Sequence, residues 1–361
     1  MLSFLKKALT GCVIILCSIL AGLLIAEGIV RVFKFDWRYI KRLLYYQMVD
    51  LDVFQPDPRF ALFYRLKPNS KGRYDGIYDK HLVTVNSLGF RGREYSVEKP
   101  EGVFRIICLG GSNVYGFLVD DSQTWPAQLE AELNFNLPQR KFEVWNLGAC
   151  AYVGCQMAIL AREAAERYDP DLVILALSNQ GSTAFLNGSD VEWYFKRYPI
   201  LWHLLFSEES LDFIPKPHYG LKLALAQRSS LFRLLVLARA ELKGIDMNWQ
   251  ASKSSHYWES MSIRTIREFI RDYKDRMHIC IFICPAVPPQ EYRMYHWGLD
   301  VPVFELRADG LPDEYREIHP PPYVMTWYAE KLAEWLMKEQ LLEPKTTAQR
   351  QVAHDTLQGN R

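Results

Sequence analysis

The sequence predicts an α/β domain with a parallel sheet, preceded by one apolar helix at the N-terminus. Three observations lead there. From Val103 onward, short apolar runs alternate with stretches of helical period, the mark of strand–helix–strand units. One of those runs, "DLVILAL" at 171–177, is almost continuously apolar, as a strand covered by helices on both faces must be. Ahead of them, Ala8 to Ala26 holds no charged residue. At about 1.5 Å per residue such a run just crosses a hydrocarbon layer of roughly 30 Å.

The apolar run comes first. Lys6 and Lys7 precede it. A cleaved signal peptide would end in small residues after a shorter core, whereas "SILAGLLIAEG" continues past its Ala-Gly. "LTGC" at 9–12 has the look of a lipoprotein box, but the apolar run follows it instead of leading to it. The reading is therefore an uncleaved signal anchor over residues 1–30. Arg31, Lys34, Arg38, Lys41 and Arg42 follow the span, so charge alone does not fix its orientation. Residues 31–100 then read as an amphipathic juxtamembrane helix over 31–48 and an irregular lead-in of loops and hairpins.

The main domain is expected over 101–340. "VFRIICL" is its first strand and "TWPAQLEAELN" a helix with Pro126 in the first turn, where proline is tolerated. "FEVWNL" is the second strand, and "CQMAILAREAAERY" a helix stopped by Asp169-Pro170. After "DLVILAL", residues 185–255 break the rhythm with aromatics, proline and histidine, as an insertion or lid would. The alternation resumes with a helix carrying Ile266, Phe269, Ile270 and Tyr273, then strand "HICIFIC", strand "VPVFEL" and a last helix "YVMTWYAEKLAEWLMKE". Residues 341–361 read as a polar tail.

Composition narrows the function. The chain has 361 residues, 49% of them apolar, and a formal net charge of +1, so it lacks the basic surplus of a nucleic-acid binder. Its seven cysteines lie at 12, 17, 108, 150, 155, 280 and 284, without the spacing of a disulfide framework or zinc ribbon. His278, Cys280 and Cys284 are better explained by alternation along a strand than by a metal. No cofactor and no metal are expected.

In open parallel sheets, functional groups gather at the carboxyl ends of the strands. The first strand ends at Gly110-Gly111-Ser112-Asn113, the second at Gly148-Ala149-Cys150-Ala151, the third at Ser178-Asn179-Gln180-Gly181. A serine, backbone N–H groups and a carboxamide on one edge are what acyl transfer needs: a nucleophile and donors for an oxyanion. His319, between the last strand and the last helix, can return to that edge as the base. Asp309, Asp313 and Glu317 lie near it in sequence and could orient the ring. A phosphate-binding turn at Gly110-Gly111 is the competing reading, but the sequence there has neither Gly-x-Gly-x-x-Gly nor a lysine after the glycine.

These residues carry a resemblance. From about 84 to 340 the chain resembles the SGNH, or GDSL-type, hydrolase family: "ICLGGSNVYG" is similar to its first block, "NLGACAYVG" to its second, "LALSNQG" to its third and "EIHPPP" to its last. "VNSLGFRG" ahead of "RIICLGGS" is similar to the lead-in of membrane-anchored envelope members. The resemblance implies a flavodoxin-like three-layer α/β/α fold. It also implies Ser112 as nucleophile, His319 as base, and oxyanion donors at Ala151 and at Asn179 or Gln180. It departs from the family pattern at Gly111, where Asp is usual, at Ala151, where glycine is usual, at Gln180, in a block that usually reads Asn-Asp, and at Arg316, where the histidine's aspartate is usual. Glu317 or Asp313 then substitutes for that aspartate, or the site runs as a Ser–His dyad.

The expected function is a membrane-anchored ester hydrolase or O-acyltransferase, acting on an acylated envelope glycan, a small acylated molecule or a lipid-type ester. It would sit in the cytoplasmic membrane by a single pass, with its domain on the periplasmic side. A non-catalytic glycan-binding or assembly protein on the same fold is the alternative.

Overall fold

The structure is a computed structural model. It describes residues 2–33, 35, 53–57, 62, 64–75, 80–150, 152, 154–177, 218, 221, 222, 225, 228–242, 265–285 and 299–345. The chain divides into two compact units. One comprises residues 1–47 with 194–249, the other residues 48–193 with 250–361.

In the first unit, helix α1 runs Leu2–Phe33 and is joined by the later helix α5, Ser230–Leu242. Leu9–Phe33 is long and apolar enough to be a candidate membrane span, and its large side chains from Leu9 to Ile25 are about half exposed or more.

The second unit begins with two short antiparallel hairpins. One pairs β1 (Phe54–Pro56) with β2 (Tyr64–Leu66), the other β3 (Lys71–Asp75) with β4 (Lys80–Thr84). Then come β5 (Val103–Gly110), the single-turn helix α2 (Ser112–Tyr115), α3 (Trp125–Asn136), β6 (Lys141–Asn146), α4 (Gly154–Arg167) and β7 (Leu172–Leu177). After the excursion to α5, the chain returns through helix α6 (265–273), β8 (His278–Ile283), β9 (Val303–Glu305) and α7 (Pro322–Lys338).

Five strands form one parallel sheet in the order β6-β5-β7-β8-β9. Numbered within the domain this is 2-1-3-4-5, the doubly wound flavodoxin-like order. Alternation along the strands separates the two faces. Phe104, Ile106, Cys108, Ile174, Cys280 and Phe282 share a core with α3 and α7 through Trp125, Leu129, Val324 and Tyr328. The intervening residues Ile107, Leu109, Val173 and Ile281 are just as buried on the opposite face, where α4 packs against β5 with the small residues Ala158, Ala161 and Ala165 turned inward. Small side chains let that helix lie close to the sheet. The order of layers is helix, sheet, helix, as expected.

Two boundaries differ from the sequence reading. The lead-in up to residue 100 belongs to the packed unit: Asn86, Phe90 and Arg91 are buried, and Arg91 bridges antiparallel to Asn146 on the edge strand. At the other end, Leu341 and Leu342 are buried and Arg140 donates to the Leu342 carbonyl, so packing continues past residue 340. Hydrophobic residues decide both: "LGF" and "LL" are apolar pairs inside otherwise polar stretches. His278 bonds to the Glu343 carbonyl at 2.7 Å, and Cys280 and Cys284 are fully buried, as the strand reading requires.

Candidate active site

In a 2-1-3-4-5 sheet the crevice lies at the switch point, where the connections from the first strand leave for opposite sides. That strand is β5, which ends at Gly110, and Ser112 follows after Gly111. Gly111 is the N-cap of α2, and Gly116 closes the turn at φ +81°, a left-handed conformation that suits glycine. Ser112 is buried, with 8% of its surface exposed.

Three groups fix this turn. Arg91, whose side chain is fully buried, donates to the carbonyls of Tyr115, Gly116 and Val119 and pairs with Asp121 at 2.8 Å. Only the Tyr115 carbonyl belongs to the last turn of α2, whose carbonyls have no intrahelical partner; those of Gly116 and Val119 follow the helix. Asn146, at the end of β6, donates to the Val114 carbonyl at 2.7 Å and accepts from the Gly148 N–H at 3.0 Å. Gly148 itself lies against the α2 backbone. A Cβ there would stand 2.4 Å from the Tyr115 nitrogen, so no other residue fits without displacing the turn.

His319 reaches the same place from the far end of the chain. Its Nε2 lies 2.8 Å from Ser112 Oγ. A serine donating to Nε2 places the ring proton on Nδ1 in the neutral histidine. The Phe117 ring packs on the imidazole with centroids 4.7 Å apart. Burial pushes the histidine down to a pKa of about 4, so it is neutral at physiological pH and able to accept a proton.

The carboxylate expected behind the histidine is missing from this geometry. Asp313 is almost fully exposed and pairs with Arg316 at 2.6 Å. Glu317 is exposed, and so is Asp309. Arg316 turns its other nitrogen to the Ala308 carbonyl at 2.7 Å, which pins the loop from inside. Among the described residues no carboxylate bonds to the imidazole, and burial is the sole cause of its shift. The expectation that Glu317 or Asp313 orients His319 does not match this geometry: Arg316 draws Asp313 outward, Glu317 is exposed, and neither bonds to the ring. Ala151, Asn179 and Gln180 lie outside the described residues.

A residue missed by sequence reasoning occupies the centre. Asn113 is fully buried directly after the serine. Its amide donates to the carbonyl of Ile318, the residue before the histidine, at 3.3 Å. Its oxygen lies 3.6 Å from Cys284 Sγ just past the end of β8. One side chain thus links the serine turn to the histidine loop. The signal available in sequence was a carboxamide where the chain is otherwise apolar, "GGSNVYG".

The structure thus brings a buried serine at the switch point of a three-layer α/β/α fold within hydrogen-bond reach of a histidine ahead of the last helix. No family model and no curated protein matches the chain. Among solved structures it is similar to the psychrotrophic esterase EstA from Pseudoalteromonas sp., at 9% identity over 65% of this chain and 98% of that one, with a TM-score of 0.33. It is similar also to a G-D-S-L family protein from Desulfitobacterium hafniense (12%, 64% and 98%, TM-score 0.29) and to an aryl esterase from M. smegmatis (17%, 65% and 99%, TM-score 0.30).

Proposed function

We propose that the chain is a serine ester hydrolase or O-acyltransferase of the SGNH type, working as a Ser112–His319 dyad. The observation that carries this reading is the 2.8 Å contact between Ser112 Oγ and His319 Nε2, across 207 positions of sequence. Two residues so distant in the chain do not meet inside a core by local preference, and a nucleophile within hydrogen-bond reach of a neutral base is the arrangement covalent acyl transfer needs.

In the first half-reaction Ser112 Oγ attacks the acyl carbon as its proton passes to Nε2. Charge develops on the acyl oxygen, for which the unpaired N–H groups at the start of α2 are donors. The tetrahedral adduct collapses, the C–O bond to the alcohol breaks, and the alcohol leaves with the proton from Nε2. In the second half, water or an acceptor hydroxyl gives its proton to His319 and attacks the acyl-serine. The proton then returns to Ser112. Hydrolysis and transfer differ only in that acceptor.

The helix α1 would hold the protein in the cytoplasmic membrane by a single pass with the domain on the periplasmic side, and the substrate would be an acylated envelope glycan or a lipid-type ester. The apolar, charge-free run and the resemblance of the lead-in support this placement. The test is labelling of the full chain by a fluorophosphonate probe. Labelling of the native chain that is lost in Ser112→Ala and strongly reduced in His319→Ala supports the dyad. Absence of labelling in the native chain overturns it.

A second reading has its own observation. No described carboxylate supports His319, which suits a non-catalytic binding or assembly protein that keeps the fold. It predicts that Ser112→Ala leaves the cellular phenotype of the native protein intact.

A further inference from the structure

We infer that helix α5 lies on the bilayer surface, pinned by Glu27 to the end of α1, with anionic phospholipid as the partner of its exposed leucine stripe. The inference rests on the reading of α1 as a membrane span and is independent of the esterase chemistry.

Glu27 is the first charge after the apolar run, and the 19 residues from Ala8 to Ala26 measure about 28 Å as a helix, close to the hydrocarbon thickness. A carboxylate at that boundary needs partners. Its oxygens accept from the N–H groups of Ser230 and Leu231 at 2.9 and 2.8 Å, from the Ser229 hydroxyl at 2.7 Å and from Arg31 at 2.7 Å. Ser229 caps the next N–H, that of Phe232, at 3.0 Å, and Arg31 also donates to the Arg228 carbonyl at 2.6 Å. The first three N–H groups of α5 are therefore satisfied at the edge of the span, and the carboxylate meets the positive end of the helix dipole.

From that point α5 has few places to go. Its 13 residues extend about 20 Å, too short to cross the bilayer. Nor does it run down alongside α1, because Leu16, Ile19, Leu20, Leu23 and Leu24 are all half exposed or more. Its contacts with α1 therefore lie beyond the span, toward the end that carries Glu27 and the buried Val30. Leu231, Leu235, Ala238 and Leu242 fall at helical spacing on one side, and Leu235 and Leu242 are 56% and 88% exposed. Leu221 and Leu225, just before the cap, are exposed too.

Charge selects the occupant. Between 221 and 242 the sequence carries Lys222, Arg228, Arg233 and Arg239 against the single acid Glu241. A short helix with an apolar stripe and a basic surplus, fixed where a span meets the headgroups, suits an anionic membrane interface.

The experiment places the photo-crosslinking residue p-benzoylphenylalanine at Leu16, Arg233, Leu235 or Leu242 of the full chain. Each variant is reconstituted in vesicles of phosphatidylcholine with one quarter phosphatidylglycerol, and adducts are weighed by mass spectrometry. Phospholipid adducts at 235 and 242, with little at 233, support the inference. Combining Glu27→Ala with the label at 235 should lower the lipid adduct about fivefold or more while leaving that at 16 unchanged. Lipid adducts at 16 but only protein adducts at 235 and 242 overturn the interfacial placement and leave the span standing. No lipid adduct even at 16 overturns the span itself, and the inference with it.

Discussion

The serine turn and the histidine loop meet at one hydrogen bond but are held in very different ways. The turn from Gly110 to Val119 is buried, clamped by Arg91 on three carbonyls, tied by Asn146 and pressed against Gly148. The loop from Ala308 to Pro321 is largely exposed. It is held by Arg316 on the Ala308 carbonyl, by the surface pair Arg316–Asp313, by Tyr315, which packs on Tyr323 and Trp327 and accepts from the Tyr328 hydroxyl, and by a bond from Asn113 to Ile318. Ser112 is fixed by the core, while His319 is carried by a surface loop tied to α7 at Tyr315 and to Asn113 at Ile318. In a triad the carboxylate would supply that hold; here the task falls to Asn113 and to Phe117 against the ring.

The comparison can be broken most severely at the serine. Ser112→Ala should lower turnover of a short-chain aryl ester by about a thousandfold or more, with an unchanged melting temperature. Equal rates from both proteins would remove the dyad from the reaction. Next is the clamp. Arg91→Ala leaves three buried carbonyls and Asp121 without their cation, and should cost about 3–5 kcal/mol, read as a large fall in the denaturation midpoint. A loss under about 1 kcal/mol would mean the turn stands without it.

Asn113→Ala should act on the loop instead. The expected result is a roughly tenfold or greater fall in kcat at nearly constant KM, with partial recovery in Asn113→Ser, since loss of a positioned base costs on the order of 10–100-fold short of removing it. An unchanged kcat would confine Asn113 to packing.

The pH profile sharpens the same contrast. Histidine with a folded pKa of about 4 must be neutral to act, so activity should persist well below pH 6.5 and fail only on approach to about pH 4. The sign for stability agrees. The unfolded chain takes up this proton near the ordinary value and the folded chain does not, so the contribution is complete above pH 6.5 and is lost as pH falls from there toward 4. An acid limb centred at 6.5 would place the imidazole in water or beside an anion. The smallest effect belongs to the surface. Asp313→Asn and Glu317→Gln should each leave the rate within about twofold, because exposed pairs contribute at most about 1 kcal/mol. A loss of tenfold or more in either would restore a carboxylate to the mechanism.

Much of this was legible in the sequence. The apolar runs that became β5 to β9 sort by period, and the serine and histidine stand at strand and loop ends where a parallel sheet gathers chemistry. What escaped was held by tertiary contact. Arg91 reads as one of two cations in "GFRGRE", and only the fold brings the carbonyls of Tyr115, Gly116 and Val119 to it. Asn113 looks like the second residue of a glycine turn until Ile318 arrives from 205 positions away. The acids near His319 misled because nearness in sequence does not say which way a side chain faces, and Arg316 decides that for Asp313.

Gly148 and His319 together set an order of assembly. The backbone of the serine turn has no supporting wall until the chain has been made and docked as far as Gly148. Its hydroxyl then waits for a base that follows 207 residues after it. Through most of synthesis Ser112 therefore stands without the imidazole that its hydroxyl meets in the folded chain.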